Sequence, residues 1–196
     1  MTTGTRTRLA PGERREQLLA LGVDLLATRS LDELTIDVLA ETGGVSRGLL
    51  YHYFGGKQGF HEAVVRYAAA DLVRQTAPPE KGEPLEQLLA SLTAYVDYVI
   101  ANQAGYRSLV RAAAGGSEVL REIYDETFEL LGDRFFTTAG PAMMSDSPAN
   151  RLMVRGWQRL AEEIVLAWCE NRAGLSREQL VQTIAAALPA LVEVTA

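Results

Sequence analysis

The chain has 196 residues, 47% of them hydrophobic, which is enough for a sizeable core and excludes a disordered tail. Its net charge of −6 excludes a protein that is basic throughout, yet residues 1–66 carry eight basic and eight acidic side chains while residues 67–196 carry eleven and seventeen. DNA binding needs a local basic surface only, so it survives, whereas no apolar run approaches the length of a membrane-spanning helix.

Residues 1–10 are rich in Thr, Gly and Arg and read as a flexible start. Pro11 suits a first helical position, and Leu18, Leu21, Gly22, Leu25 and Leu26 recur at helical spacing, predicting a helix over 11–28. Thr35 can cap a short helix over 36–42, with Leu34 and Leu39 as a hydrophobic staple. Gly43-Gly44 ends it, because glycine takes the left-handed conformation of a tight exit. Ser46 caps a third helix that Gly55-Gly56 closes, and a fourth runs over 57–76. Pro78-Pro79-Glu80-Lys81-Gly82-Glu83-Pro84 is the clearest linker. Helical patterns follow over 84–102, 105–114, 117–137, 148–172 and 176–194, with a longer loop around Gly140-Pro141 and Ser145-Asp146-Ser147-Pro148. No alternating strand pattern and no repeat is visible, so the fold class is all-α.

The third helix has two chemically different sides. With about 100° per residue, Phe54 lies about 40° from Leu50, while Gly48 and His52 lie about 160° and about 200° away. Leu50 and Phe54 are therefore expected to pack inward. On the outer side Gly48 lets the backbone approach a groove wall, His52 can bond a base edge, and Leu49 can contact a thymine methyl. Tyr51 and Ser46 can bond phosphates, Arg47 adds charge, and Lys57 opens the fourth helix where free N–H groups favour an anion. Thr35, at another helix start, can do the same. Each residue has an ordinary alternative: packing aromatics for Tyr51 and Tyr53, a solvated surface residue for His52 and Lys57. Together, with the glycine turn and capped helices at this spacing, they describe a helix-turn-helix that reads DNA.

Residues 34–60 resemble the DNA-binding region of the TetR family of bacterial regulators. The likeness rests on Thr35, Leu39-Ala40, Val45-Ser46-Arg47-Gly48, Leu50-Tyr51-His52-Tyr53-Phe54, and Lys57 three residues after the phenylalanine. The sequence departs at Gly43, where family members typically have alanine, and at Leu49, where threonine or serine is frequent. The resemblance implies a helix-turn-helix domain over 1–60, a connecting helix to about 77, and a helical ligand-binding and dimerisation domain over 78–196.

Family likeness further implies homodimers that pair through the last two long helices. Leu152, Gly156, Leu160, Ile164 and Ala167 form one apolar stripe, with Met153, Trp157 and Trp168 beside it. Leu180, Ile184, Ala187, Leu188 and Leu191 form another. Two such helices from each subunit can make a four-helix interface; the alternative is that a stripe fills its own subunit's core. The family also implies a small-molecule pocket within helices five to eight, with Tyr95, Tyr98, Tyr106, Tyr124, Phe128, Phe135, Met143, Met144 and Trp157 as candidates, although such residues also build plain cores. Arg151, Arg155 and Arg159 share one helix stripe that can greet an anion or simply face water.

Catalysis finds little footing. His52 and His61, the two histidines, both lie near the reading segment, and there is no His-Glu-x-x-His or paired-cysteine metal motif. Gly55-Gly56-Lys57-Gln58 lacks both the first glycine and the hydroxyl residue of a phosphate loop, and Ser117 reads as a helix cap. Cys169, the single cysteine, permits no intrachain disulfide and reads as an inert thiol or a redox sensor. With Arg6 and Arg8 but no apolar leader, a cytoplasmic location is expected. The expected protein is not an enzyme and needs no cofactor or metal. It is a homodimeric repressor on double-stranded, palindromic operator DNA, released by an unidentified small-molecule inducer. The alternative is an all-helical interaction or small-molecule carrier protein whose helix-turn-helix does not read DNA.

Overall fold

Nine α-helices run through the described residues of the computed structural model, which are 10–192. In chain order they are α1 (Pro11–Leu26), α2 (Ile36–Gly43), α3 (Arg47–Phe54), α4 (Lys57–Gln75), α5 (Pro84–Ala101), α6 (Gln103–Ala114), α7 (Glu118–Thr137), α8 (Pro148–Glu170) and α9 (Arg177–Val192). No strand occurs among the described residues. The expected flexible stretch over 1–9 and the expected end of the last helix at 194 lie outside them.

Hydroxyl caps fix most helix starts. Thr35 Oγ1 accepts from the Val38 amide at 3.2 Å, and Ser46 Oγ accepts from Leu49 at 3.3 Å. Ser117, Ser147 and Ser176 do the same for α7, α8 and α9. Each cap satisfies an amide that would otherwise lack an intrahelical partner, for about 1 kcal/mol. Two details differ from the sequence reading. Helix α6 begins at Gln103, not 105, because the Asn102 side chain bonds the Tyr98 carbonyl and its own carbonyl accepts from Tyr106, so one residue makes the turn. A 3₁₀ turn, Gly140–Ala142, occupies part of the expected loop; the Met143 and Met144 amides both donate to the Gly140 carbonyl.

Two cores organise the chain. One is built by α1–α4 around Leu34, Leu39, Leu50, Phe60 and Val64, all fully buried. The other joins α5, α8 and α9 through Val96, Val99, Val154, Val165 and Leu188. Burying each such side chain contributes about 1.5–3 kcal/mol. The indole N–H of Trp157 donates to the Ile184 carbonyl at 2.8 Å and that of Trp168 to Leu175 at 3.1 Å, pinning α9 to α8.

The two cores meet along more than the linker. Leu120 and Ile123 of α7 belong to the N-terminal core, and the Leu31 amide donates to Ser108 Oγ of α6 at 2.9 Å. The Tyr98 hydroxyl donates to the Ala68 carbonyl of α4 at 3.0 Å. Gly105 makes the closest approach possible: a methyl group there would lie 2.6 Å from Leu26 Cβ and 2.7 Å from the Leu26 carbonyl oxygen. Helices α6 and α7 thus brace α1 and α4 directly.

Candidate nucleic-acid interface and ligand cavity

Helices α2 and α3 are joined at Gly44, whose φ of 60° is the left-handed exit that the sequence requires. Leu50 and Phe54 turn inward, and Arg15 of α1 lies over the Phe54 ring. Ser46, Arg47, Gly48, Tyr51, His52 and Lys57 are exposed together on the other side; Leu49 and Thr35 are half-buried at its edge. A methyl group at Gly48 would meet nothing nearer than Ser46 Oγ at 4.0 Å, so this face is open to a groove wall. The departure at Gly43 also has a structural account: a methyl group there would sit 3.2 Å from Leu21 Cδ2 and 3.3 Å from Leu18 Cδ2. Leu18 and Leu21 would have to give way by a few tenths of an ångström to admit a methyl group at this position.

Two features of the reading head escape the sequence reading. Arg47 does not stand alone, because its Nε lies 2.6 Å from Asp37 Oδ1 of α2, with both side chains mostly exposed. His61 is structural: half-buried on α4, its Nε2–H donates to the Leu34 carbonyl at 2.7 Å. Burial lowers its pKa, against the Leu34 carbonyl, which favours the protonated ring.

A cavity of about 100 Å³ lies between the end of α4 and helices α5, α7 and α8. Of the candidates, Tyr95, Phe128, Phe135 and Trp157 line it. Tyr98 and Tyr106 instead line a smaller space of about 30 Å³ beside α1 and α4. Tyr124 lines neither; its hydroxyl bonds Glu162, and its ring stacks under the Arg159 guanidinium at 4.1 Å. The sequence reading did not single out Arg134, which lines the cavity wall and whose guanidinium donates to the carbonyls of Val73 and Thr76 at the end of α4. Two arginines of the Arg151, Arg155 and Arg159 stripe are spent elsewhere, Arg151 on Asp133 and Asp146 and Arg159 on Asp125, while Arg155 is exposed.

Beside the cavity sits a buried polar chain. Tyr95 and Tyr106 share a hydroxyl hydrogen bond of 3.0 Å, and Tyr106 donates to Glu162 at 2.8 Å. Glu162 is buried, and desolvation raises its pKa against the opposing effect of the tyrosine donors and Arg159. Its neighbour Glu163 is exposed, so the sequence pair Glu162-Glu163 disguises one buried acid as a solvated run.

The outer face of α8 exposes Leu152 (63%), Gly156 and Leu160 (43%), with Ile164 half-buried. The α9 stripe proposed beside it requires correction. Ile184 and Leu188 are buried in the chain's own core and Leu191 is half-buried, because α9 packs its apolar side against α5 and α8. Gln179, Gln182, Thr183, Ala186 and Ala190 are among the residues that α9 shows to the outside.

Residues 18–64 match the family model for bacterial regulatory proteins of the tetR family, and residues 84–188 match that for the tetracyclin repressor-like C-terminal domain. A TetR-family transcriptional regulator from Streptomyces coelicolor superposes with a TM-score of 0.83 at 32% identity, covering 95% of this chain and 83% of its own. A putative TetR-family regulator from Rhodococcus sp. gives 0.73 at 24% identity, covering 92% and 98%. The HTH-type regulator BetI 2 of Chromohalobacter salexigens is 41% identical over 59 residues, 30% of this chain and 28% of that protein. The activator FasR of Mycolicibacterium smegmatis is 29% identical over 102 residues, 51% of this chain and 47% of its own. The matches with these curated relatives therefore span less than half of their length.

Proposed function

The chain belongs to the TetR family of bacterial regulatory proteins, DNA-binding transcriptional regulators and not enzymes, and from that we propose that it is a homodimeric repressor released from a palindromic operator by a small molecule. The observation that carries the reading is the exposed set Ser46, Arg47, Gly48, Tyr51, His52 and Lys57 around a capped α3 braced by α1 and α2. One such helix spans only a few base pairs, so specificity requires two, about 34–36 Å apart on successive turns of the groove. A dimer seated across a promoter excludes polymerase without any further contact, which favours repression. The sign nonetheless has to be measured, since relatives include the repressor KstR2 as well as the activator FasR.

Release is supported by the path between cavity and reading head. Arg134 and Thr76 line the cavity, and Arg134 holds the last turn of α4. Helix α4 in turn packs against α1, α3 and α7. A ligand that favours one placement of the α4 end shifts the balance between DNA-competent and incompetent dimers by its differential affinity for the two. The test is fluorescence anisotropy with duplexes tiled across the gene's own upstream region. Salt-dependent binding to one palindromic duplex is expected; no retention at low salt would overturn the reading.

A further inference from the structure

The cavity between α4, α5, α7 and α8 carries a single charge. Of its lining residues only Arg134 is ionised at neutral pH, and none is acidic. The deep wall is apolar and aromatic, formed by Leu92, Tyr95, Val154, Trp157 and Ala161, all buried. The rim is polar and partly open: Pro78 and Gln87 are half-buried and Thr138 is exposed. Arg134 is half-buried near that rim.

Arg134 is also short of partners. Its guanidinium donates to the Val73 carbonyl, and at 2.8 Å each to the Thr76 carbonyl and hydroxyl. All three acceptors are neutral, and two of its five N–H groups have no hydrogen-bond partner among the described residues. Arg107, Arg151, Arg159 and Arg177 each pair with a carboxylate, whereas Arg134 pairs with none among the described residues. A partly desolvated cation without a counter-charge is costly, and here burial already lowers its pKa. The cost is offset if an anion from outside completes the site.

We propose that the cavity binds an apolar carboxylate, with the acid head on Arg134 and a hydrocarbon body against Leu92, Tyr95 and Trp157. One arginine neutralises a monoanion, and a charge-assisted hydrogen bond from a spare Arg134 N–H is stronger than one to a neutral head group. A phosphate monoester would leave a second negative charge facing an apolar wall with no cation to meet it. Gln158 and Ser91 supply neutral hydrogen bonds along the same wall. This inference rests on the ligand-responsive reading above, and it names the chemistry of the ligand.

Trp157 lines the cavity, so intrinsic fluorescence of the full-length protein reports occupancy without DNA. The probes are octanoate, octanol and octylammonium, which share a chain and differ in head charge, with inorganic phosphate as competitor. Octanoate should bind at least about tenfold more tightly than octanol. Octylammonium should bind more weakly still, and phosphate should not displace octanoate. Arg134→Gln should remove the preference for octanoate over octanol. Because Arg134 also holds α4, octanol binding and the thermal melt of that variant serve as its folding check. Ala161→Leu, which fills the deep end, should weaken octanoate and octanol alike. Equal binding of octanoate and octanol by the unaltered protein, a preference for the amine, or no fluorescence response to any probe would overturn the proposal. If octanoate fails but an upstream duplex is bound, the ligand class falls and the regulator reading stands. If octanoate binds but no duplex does, the reverse holds.

Discussion

Arg47 of α3 and Asp37 of α2 form an ion pair across the two helices of the reading head, with Nε and Oδ1 2.6 Å apart. The pair is mostly in water, so it adds little to stability. Its consequence is for DNA: the arginine best placed to meet a phosphate is partly neutralised before it arrives, and Asp37 brings a negative charge to the same edge. Asp37→Asn should therefore tighten binding to every duplex by about three- to tenfold and steepen the salt dependence by about one phosphate's worth. A titration series in salt checks this. Unchanged affinity would mean that Arg47 remains outside the contact.

The open face of α3 makes a different prediction for its neighbours. Tyr51→Ala and His52→Ala should weaken the operator by about tenfold each and leave nonspecific duplexes much less affected, because both side chains are exposed and support no core. Lys57→Ala should weaken all duplexes alike and make the salt slope shallower by about one phosphate. Anisotropy titrations against operator and scrambled DNA separate the two behaviours. A Lys57 effect confined to one sequence would argue against a phosphate role.

Helix positions were legible because their causes are local. Thr35, Ser46 and Ser117 each announce a start that the backbone needs, and Gly44 an exit that it can make. The inward pair Leu50 and Phe54 followed from spacing alone. What stayed hidden depends on distant partners. Asp37 and Arg47 are ten residues apart with no periodic relation, and Arg134 is one arginine in an amphipathic helix until the end of α4 folds against it. On α9 periodicity identified the apolar stripe correctly. It could not say whether that stripe faces a second subunit or, as it does, the chain's own core.

Glu162 should make stability fall as pH rises. Its pKa is raised from 4.5, chiefly by burial. Below pH 4.5 the carboxyl is protonated in folded and unfolded chains alike, and it adds no pH dependence. Above that value the unfolded chain releases the proton while the folded one keeps it, so stability declines until the folded carboxyl also ionises. Glu162→Gln keeps an acceptor for Tyr106 and Tyr124 but cannot ionise. Thermal melts should show the unaltered protein losing stability relative to Glu162→Gln as the pH is raised above 4.5. A constant difference across that range would show that Glu162 is ionised throughout.

The correction on α9 turns the dimer question into a contrast between two leucine-rich surfaces. Ile184 is 2% exposed within one chain, so Ile184→Ala should destabilise the fold by about 2–5 kcal/mol through the cavity it leaves. Leu160 is 43% exposed and Leu152 63%, so neither has much to lose inside its own subunit. Leu160→Glu should therefore leave the helical content intact and convert a dimer to a monomer, as read by light scattering. If the mass stays dimeric, the outer face of α8 is not the interface. Gly156 refines the test, since a methyl group there meets no atom within 4 Å beyond the adjoining backbone of its own helix. In water Gly156→Ala should stabilise the helix by about 0.5–1 kcal/mol. Weakened dimerisation instead would show that the two α8 backbones approach each other at that glycine.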